Sequence, residues 1–107
     1  AIVYCYHGFI PLDMYFFHEA VYRYTRRLPM TLVADFVFKI PLLGYLVRLC
    51  GGHPASHRAA REQLGRGGIV ILAPGGVREG MTATTEDYAL RWFGRKGFAE
   101  LAERAAV

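Results

Sequence analysis

The sharpest pattern in the chain is GGIVILAPGG, residues 67–76, in which pairs of glycines enclose a short apolar run. The run from Ile69 to Leu72 is rich in β-branched side chains and predicts a strand. Pro74, Gly75 and Gly76 follow this strand and predict a loop at its carboxyl end. The chain must therefore place a glycine-rich loop directly after a strand.

Strands and helices alternate along the rest of the chain. Further strands are predicted at residues 1–6 and 30–35. Helices are predicted from Leu12 to a stop at Pro29, from about Leu42 to Cys50, over 54–68 with Pro54 in the first turn, and from about Gly97 onward. Residues 77–87 are predicted to be polar loop and 94–97 a turn. The alternation predicts an α/β fold with a mostly parallel or mixed sheet flanked by helices, in which sites gather at the carboxyl ends of strands.

The composition is apolar and basic at once. Of the 107 residues 53% are hydrophobic and 14% aromatic, with 13 Lys and Arg against 9 Asp and Glu, and the mean hydropathy is +0.18. This combination suits a protein lying against an anionic membrane surface, where basic side chains meet headgroups and aromatic rings lie at the interface. An ordinary α/β domain with a slightly basic surface is the alternative that composition leaves open.

The apolar segment 36–52 is interrupted by Lys39, Pro41 and Arg48. It is a poor transmembrane span, because a span needs about 20 apolar residues, and a helix lying on or dipping into the membrane fits better. Cys5 and Cys50 match no metal or redox spacing, so both are interpreted as reduced core residues, which indicates a reducing compartment. Residues 1–107 are expected to be one partial domain whose N-terminal membrane anchor and C-terminal remainder lie elsewhere in a longer protein.

The stretch YHGFIPLD places an ionisable pair just after the first predicted strand. His7 stands at the carboxyl end of that strand, and Asp13 follows a loop that contains Gly8 and Pro11. A carboxylate that accepts a hydrogen bond from one imidazole nitrogen leaves the other nitrogen available as a general base. No G-x-S-x-G motif occurs, so the nucleophile would be a hydroxyl of the substrate. The alternative is structural: a locally capped His7 and an Asp13 that caps the following helix.

Four blocks together resemble the glycerolipid acyltransferase superfamily and its His-Asp motif: YHGFIPLDMYFF, VADFVFKIP, LAPGGVRE and YALRWFGRKGFAELAERAAV. Within it they look most like the branch of transmembrane protein 68, the diacylglycerol acyltransferase 2-like and the phytyl ester synthase-like enzymes, which share an H-G-x-x-P-x-D form of the motif. The resemblance implies an acyltransferase-like fold, with His7 as the base that deprotonates an acceptor hydroxyl and Asp13 as its orienting partner. The acyl donor would be an acyl thioester, from coenzyme A or an acyl carrier, acting as co-substrate without a further cofactor.

The chain departs from the superfamily pattern at two places. Five residues, Gly8 to Leu12, separate the histidine from the aspartate where four are usual. The members that handle phosphorylated acceptors read Pro-Glu-Gly-Thr-Arg where this chain has PGGVR, so Gly75 replaces a glutamate. This replacement favours a neutral acceptor, such as a diacylglycerol, a monoacylglycerol or a long-chain alcohol, in triacylglycerol or related lipid synthesis.

The Pro-Gly-Gly loop is the second candidate part of the site. Glycine amides approach ligands closely, so Gly75 and Gly76 are expected to donate to an oxyanion or a phosphate. Arg78 would add a bidentate donor, and Glu79 would orient Arg78 or the acceptor. A tight structural turn with a surface ion pair is the alternative for this stretch.

The remaining polar residues predict little chemistry of their own. His53 and His57 have zinc-like spacing but no third ligand, so no metal site is predicted; His18 is assigned to a helix face. Basic and aromatic residues interleave in RWFGRKGF, as in single-stranded nucleic-acid sites, but the spread of Tyr and Phe through apolar segments favours a core and a membrane interface over nucleic acid.

The sequence thus predicts a membrane-associated O-acyltransferase on the cytoplasmic face of a bacterial inner membrane or the endoplasmic reticulum. A lysophospholipid or glycerol-3-phosphate acyltransferase, and a non-catalytic lipid-binding module, are the alternatives.

Overall fold

The structure of the protein is a computed structural model that describes residues 1–6, 12–82 and 94–107. Within these residues, four short parallel strands form one sheet at the centre of the protein. The strands are β1 (Ile2–Tyr4), β2 (Met30–Val33), β3 (Gly52–Pro54) and β4 (Val70–Leu72), in the spatial order β1-β4-β2-β3. All pairs are parallel, with Thr31 of β2 level with Ile71 of β4 and Gly52 of β3. The predicted α/β fold with a mostly parallel sheet is confirmed.

Within the described residues five helices flank the sheet: α1 (Leu12–Thr25), α2 (Pro41–Leu49), α3 (His57–Gly65), α4 (Gly76–Thr82) and α5 (Gly97–Ala105). The strand β4 is buried on both faces, since its side chains alternate between two apolar clusters. On one face Ile71 packs with Met14 of α1. On the other face Val70 and Leu72 pack with α3 and with Leu101 of α5. The strand β4 is therefore the centre of the core.

Most predicted elements are present with bounds that shift by a few residues. The helices predicted from Leu12, near Leu42 and from Gly97 correspond to α1, α2 and α5. The chain leaves α1 through Arg26, which has a positive φ of 57°, before Pro29 begins the approach to β2. Between β2 and α2 a short 3-10 helix spans Asp35–Lys39.

Two predictions about secondary structure are wrong. Pro54 does not lie in the first turn of a helix but ends β3, an edge strand, where a residue without an N–H is tolerated. The following helix α3 begins at His57 and is capped by Ser56, whose Oγ accepts a hydrogen bond from the Ala59 N–H at 3.4 Å. Residues 77–82 are not polar loop, because the chain folds into α4 directly after Gly75.

The environments of the cysteines differ from the prediction in one case. Cys5 is half-buried, as a core residue at the end of β1, whereas Cys50 is exposed at the end of α2. Both thiols are free. Cys50 is exposed because α2 contacts the body of the protein through other residues, the buried Gly44 and the half-buried Val47. No helix in the described part of the chain is long and apolar enough to cross a bilayer.

Candidate active site

A cavity of about 890 Å³ lies at the carboxyl ends of the strands. The residues that follow three neighbouring strands line it: Ala34 after β2, Ser56 after β3, and Pro74 after β4. Its walls are mainly apolar and come from α1, the 3-10 helix and α5, with Met14, Phe36 and Phe98 as examples. In parallel α/β sheets this edge is where ligands bind, because loops from several strands meet there.

The loop after β4 brings Gly75 and Glu79 into close contact. Glu79 is 2% exposed, and its side chain lies against Gly75 so closely that a Cβ at position 75 would overlap the Glu79 carboxylate. A carboxylate from α4 thus occupies the space into which a side chain at position 75 would project.

The two amides of the Pro-Gly-Gly loop have different surroundings. The Gly76 N–H donates to the Ala73 carbonyl oxygen at 3.1 Å, which closes the turn into α4. The Gly75 N–H makes no hydrogen bond within the described residues. Gly75 is buried and does not line the cavity, whereas Gly76 forms part of its wall. The predicted donation from these two amides to a ligand stays a prediction.

Two arginines reach the cavity beside this loop. Arg78, on α4, is exposed and lines the cavity. Its role in binding substrate stays a prediction. Arg95, just before α5, also lines it, and its Nη1 donates to the Gly75 carbonyl oxygen at 3.4 Å. Arg95 was not singled out in the sequence, because only the fold brings the start of α5 next to the loop after β4.

The predicted base, His7, lies outside the described residues. Its predicted partner Asp13 is exposed in the first turn of α1, where its Oδ1 accepts a hydrogen bond from the Met14 N–H at 2.9 Å. Asp13 thus lies inside the first turn of α1. Burial, with a smaller contribution from the charge of Asp13, raises the pKa of Cys5.

A buried histidine and threonine form a second polar feature of the cavity. His18 of α1 is only 8% exposed, although the sequence assigned it to a helix face. Its Nδ1 lies 2.8 Å from the Oγ1 of Thr31 on β2, and both residues line the cavity. Burial lowers the pKa of His18, which keeps the imidazole neutral at neutral pH. The spacing Met14, His18, Val21 along one apolar face of α1 is the sequence signal that identifies the burial.

Gly51 leaves the space that the imidazole ring of His18 occupies. This residue has a positive φ of 85°, and a Cβ there would lie 2.7 Å from the imidazole Cε1. Only glycine fits this position without moving the ring. In the described residues no group of three or more His, Cys, Asp or Glu side chains is placed to hold a metal ion.

The sequence matches the family model Acyltransferase over residues 1–107.

The chain belongs to the Acyltransferase family.

Its curated relatives include proteins named "DGAT1/2-independent enzyme synthesizing storage lipids" from several vertebrates. The protein from Bos taurus is 36% identical over 108 residues, the one from Homo sapiens 35% identical over 108 residues, and the one from Gallus gallus 32% identical over 107 residues. The whole of this chain is covered in each match, but only 32%, 33% and 32% of these relatives. The chain therefore spans about a third of the length of the curated relatives it matches. No solved structure matches the sequence significantly.

Proposed function

We propose that the protein to which this chain belongs is a membrane-associated O-acyltransferase that moves a fatty acyl group from an acyl thioester to the hydroxyl of a neutral lipid. The observation that carries the proposal is the large apolar cavity at the carboxyl edge of the sheet, bordered by the Pro-Gly-Gly loop and Arg78, in a member of the Acyltransferase family. Such a cavity suits an acyl chain, and its polar rim suits the reacting groups.

The proposed reaction is a direct transfer without an acyl-enzyme. His7 takes the proton from the acceptor hydroxyl as the oxygen attacks the thioester carbonyl, and Asp13 orients His7. Backbone amides near Gly75 and Gly76, together with Arg78, stabilise the negative charge that develops on the carbonyl oxygen. Collapse of the tetrahedral intermediate forms the new ester and breaks the carbon–sulfur bond, and the departing thiolate receives the proton from His7.

A neutral acceptor is supported by the walls of the cavity. Met14, Phe36 and Phe98 offer apolar surface to a ligand, and the relatives are named for the synthesis of storage lipids. A diacylglycerol, a monoacylglycerol or a long-chain alcohol fits both observations.

Membrane association is supported by α2. This helix exposes large apolar side chains, including Leu42 at 71%, Tyr45 at 61% and Leu49 at 66%, and carries no acidic residue. Lys39 and Arg48 provide positive charge at its two ends. An apolar surface with basic flanks suits the cytoplasmic face of an anionic bilayer, in a bacterial inner membrane or the endoplasmic reticulum.

A second candidate is acyl transfer to a lysophospholipid or to glycerol 3-phosphate. It is favoured by the two guanidinium groups of Arg78 and Arg95, both on the cavity and both suited to bind a phosphate. In the first candidate the same arginines bind phosphates of coenzyme A.

The test is acyl transfer from radiolabelled palmitoyl-coenzyme A by membranes that contain the full-length protein. Wild type and His7→Ala are compared with diacylglycerol, long-chain alcohol, lysophosphatidic acid and glycerol 3-phosphate as acceptors. We expect His7→Ala to lower turnover by about 10²- to 10⁴-fold, the usual contribution of a general base. His53→Ala is the matched control, because His53 is exposed on β3 and does not line the cavity.

Full turnover by His7→Ala would refute the mechanism, and preference for a phosphorylated acceptor would establish the second candidate. Absence of transfer to every acceptor by folded wild-type protein would indicate a non-catalytic lipid-binding module.

A further inference from the structure

A groove separate from the candidate active site runs along the outer edge of β1. This strand is the last in the sheet order β1-β4-β2-β3, so no strand within residues 1–6, 12–82 and 94–107 pairs with its outer side. The groove has a volume of about 410 Å³ and lies between this edge and α5. Its walls are mainly apolar and include Ile2, Tyr4, Ala102 and Val107. Such an edge offers a further strand both backbone hydrogen bonds and apolar surface.

The backbone of β1 is oriented to bond on both sides. The Ala1 carbonyl oxygen accepts from the Val70 N–H at 2.9 Å, and the Cys5 N–H donates to the Leu72 carbonyl oxygen at 3.0 Å. Residues that bond to one neighbour alternate along a strand with residues that face the other side, so the N–H and C=O of Ile2 point away from β4. These outward groups are the ones that a further strand would bond.

The connections within the sheet show which way the chain crosses it. From β3 the chain passes over β2 in α3 and enters β4, and Leu32 of β2 packs against the Ala60 and Leu64 side chains of that helix. The connection from β1 to β2 runs in the opposite direction and uses α1 on the opposite face, where Met14 packs with Ile71. Crossovers that run in opposite directions on opposite faces have the same hand, as the right-handed rule for parallel units requires.

The helix α5 repeats on the side of β1 the arrangement that α3 has over β2. It follows β4 and α4 in the chain, and its Leu101 belongs to the same buried cluster as α3. Ile2 of β1 packs against this cluster, and the ring centroids of Tyr4 and Phe98 lie 5.7 Å apart. Since α5 covers β1 on the face that α3 uses, a right-handed crossover through α5 leads to the outer edge of β1.

The end of α5 turns towards the same groove. The helix stops at a left-handed cap, Ala106, which has a φ of 52°. The Val107 N–H donates to the Ala102 carbonyl oxygen at 3.1 Å, and both of these residues line the groove. The chain covers only 32% of its Bos taurus relative, so proteins of this kind have further segments that could supply a strand.

We propose that the outer edge of β1 and the groove beside α5 are the docking site for a further parallel strand, formed by the segment of the full-length protein that follows α5. Its backbone bonds to β1, and its apolar side chains fill the groove. Because the strand is parallel, its carboxyl end lies at the edge of the sheet that carries the cavity, so the residues after it are placed at the candidate site. This inference concerns the full-length fold and does not depend on the proposed reaction.

The test places a photo-reactive side chain in the groove of the full-length protein. Tyr4 is 57% exposed and lines the groove, and Tyr4→p-benzoylphenylalanine keeps an aromatic ring there. On illumination we expect position 4 to cross-link to a segment that begins within about 10 residues after Val107, because connections from a helix to a strand usually take about 2–6 residues. Tyr24→p-benzoylphenylalanine is the matched control. Tyr24 is 93% exposed at the end of α1 and does not line the groove, so it should give no cross-link to that segment.

Amide hydrogen exchange in the unmodified full-length protein is the second measurement. The Ile2 amide should exchange as slowly as that of Cys5, which donates to Leu72 within the sheet. Exchange of Ile2 at the rate of an exposed amide would overturn the proposal. So would cross-linking of position 4 to lipid, to a second molecule of the protein, or only to a segment elsewhere in the chain. Both measurements are independent of acyl transfer, so a failure of the proposed function leaves their outcome unchanged.

Discussion

At the scale of single residues, Gly75 is a position where the fold leaves no space for a side chain. The turn after β4 places the buried Glu79 carboxylate in the space of a residue-75 side chain. The carbonyl oxygen that accepts from Arg95 also belongs to this residue. Packing of α4 against the turn therefore depends on the absence of a Cβ at position 75.

We expect Gly75→Ala to destabilise the protein by about 1–3 kcal/mol, the usual cost of overpacking, because the new Cβ must displace Glu79. The matched control is Gly65→Ala at the end of α3, where a Cβ meets no atom within 4 Å. There alanine should be neutral or stabilise by up to about 1 kcal/mol through its helix propensity. Thermal unfolding of the purified full-length variants measures both, and equal stability of the two would contradict the packing described for Glu79.

At the scale of secondary structure, α2 differs from the other helices in how little of it is buried. The buried Gly44 lies against the backbone of Phe38 in the 3-10 helix, and a Cβ there would come within 2.9 Å of the Phe38 Cα. The guanidinium of Arg48 stacks 4.7 Å from the centre of the Phe38 ring. These contacts attach α2 to the 3-10 helix through a few residues and leave the leucines and Tyr45 of α2 exposed. An exposed apolar surface of this kind favours contact with lipid.

We expect the exposed face of α2 to lie in the bilayer interface, and tryptophan reporters test this. In full-length protein reconstituted with brominated lipids, the fluorescence added by Tyr45→Trp should be quenched. Arg58→Trp is the control, since the Arg58 side chain is 88% exposed on α3 and makes only an i,i+4 ion pair with Glu62. Equal quenching of the two reporters, or quenching of neither, would count against α2 as the lipid-facing element.

At the scale of the whole molecule, the central strand β4 contributes to both the core and the cavity. β4 pairs with β1 on one side and β2 on the other, so its residues are held by two neighbours and covered by helices on both faces. The same strand ends in the Pro-Gly-Gly loop at the cavity. The strand at the centre of the core therefore also positions the loop of the candidate site.

We expect Ile71→Ala to lower the free energy of unfolding by about 2–5 kcal/mol, because Ile71 is fully buried between α1 and the sheet. Ile40→Ala makes the same change at a side chain that is 46% exposed before α2, and should cost less than about 1 kcal/mol. Chemical denaturation of the purified full-length variants compares the two. Similar losses would mean that β4 is not the centre of the core.

Local patterns in the sequence predicted most elements of the fold. The β-branched run at Ile69 to Leu72 and the apolar spacing from Leu12 depend on neighbours in the chain, so α1, β4 and the Pro-Gly-Gly loop were predictable. The strand β3 was not, because Gly52–Pro54 has no strand composition and is a strand only through its pairing with β2. The helix α4 was missed because its glycines disfavour a helix unless packing, here the burial of Glu79, compensates.

The sequence by itself determined the α/β class, the order of the main elements, the glycine loop after a buried strand, and the resemblance through which His7 and Asp13 became candidates. The tertiary structure decided which distant side chains come into contact. It placed Arg95 beside the Pro-Gly-Gly loop, packed the buried Glu79 against Gly75, and brought His18 within hydrogen-bond distance of Thr31. The physical reason is the range of the interactions. Propensity and periodicity act between residues close in the chain, whereas a cavity is formed by residues from distant segments that only the packed sheet brings together.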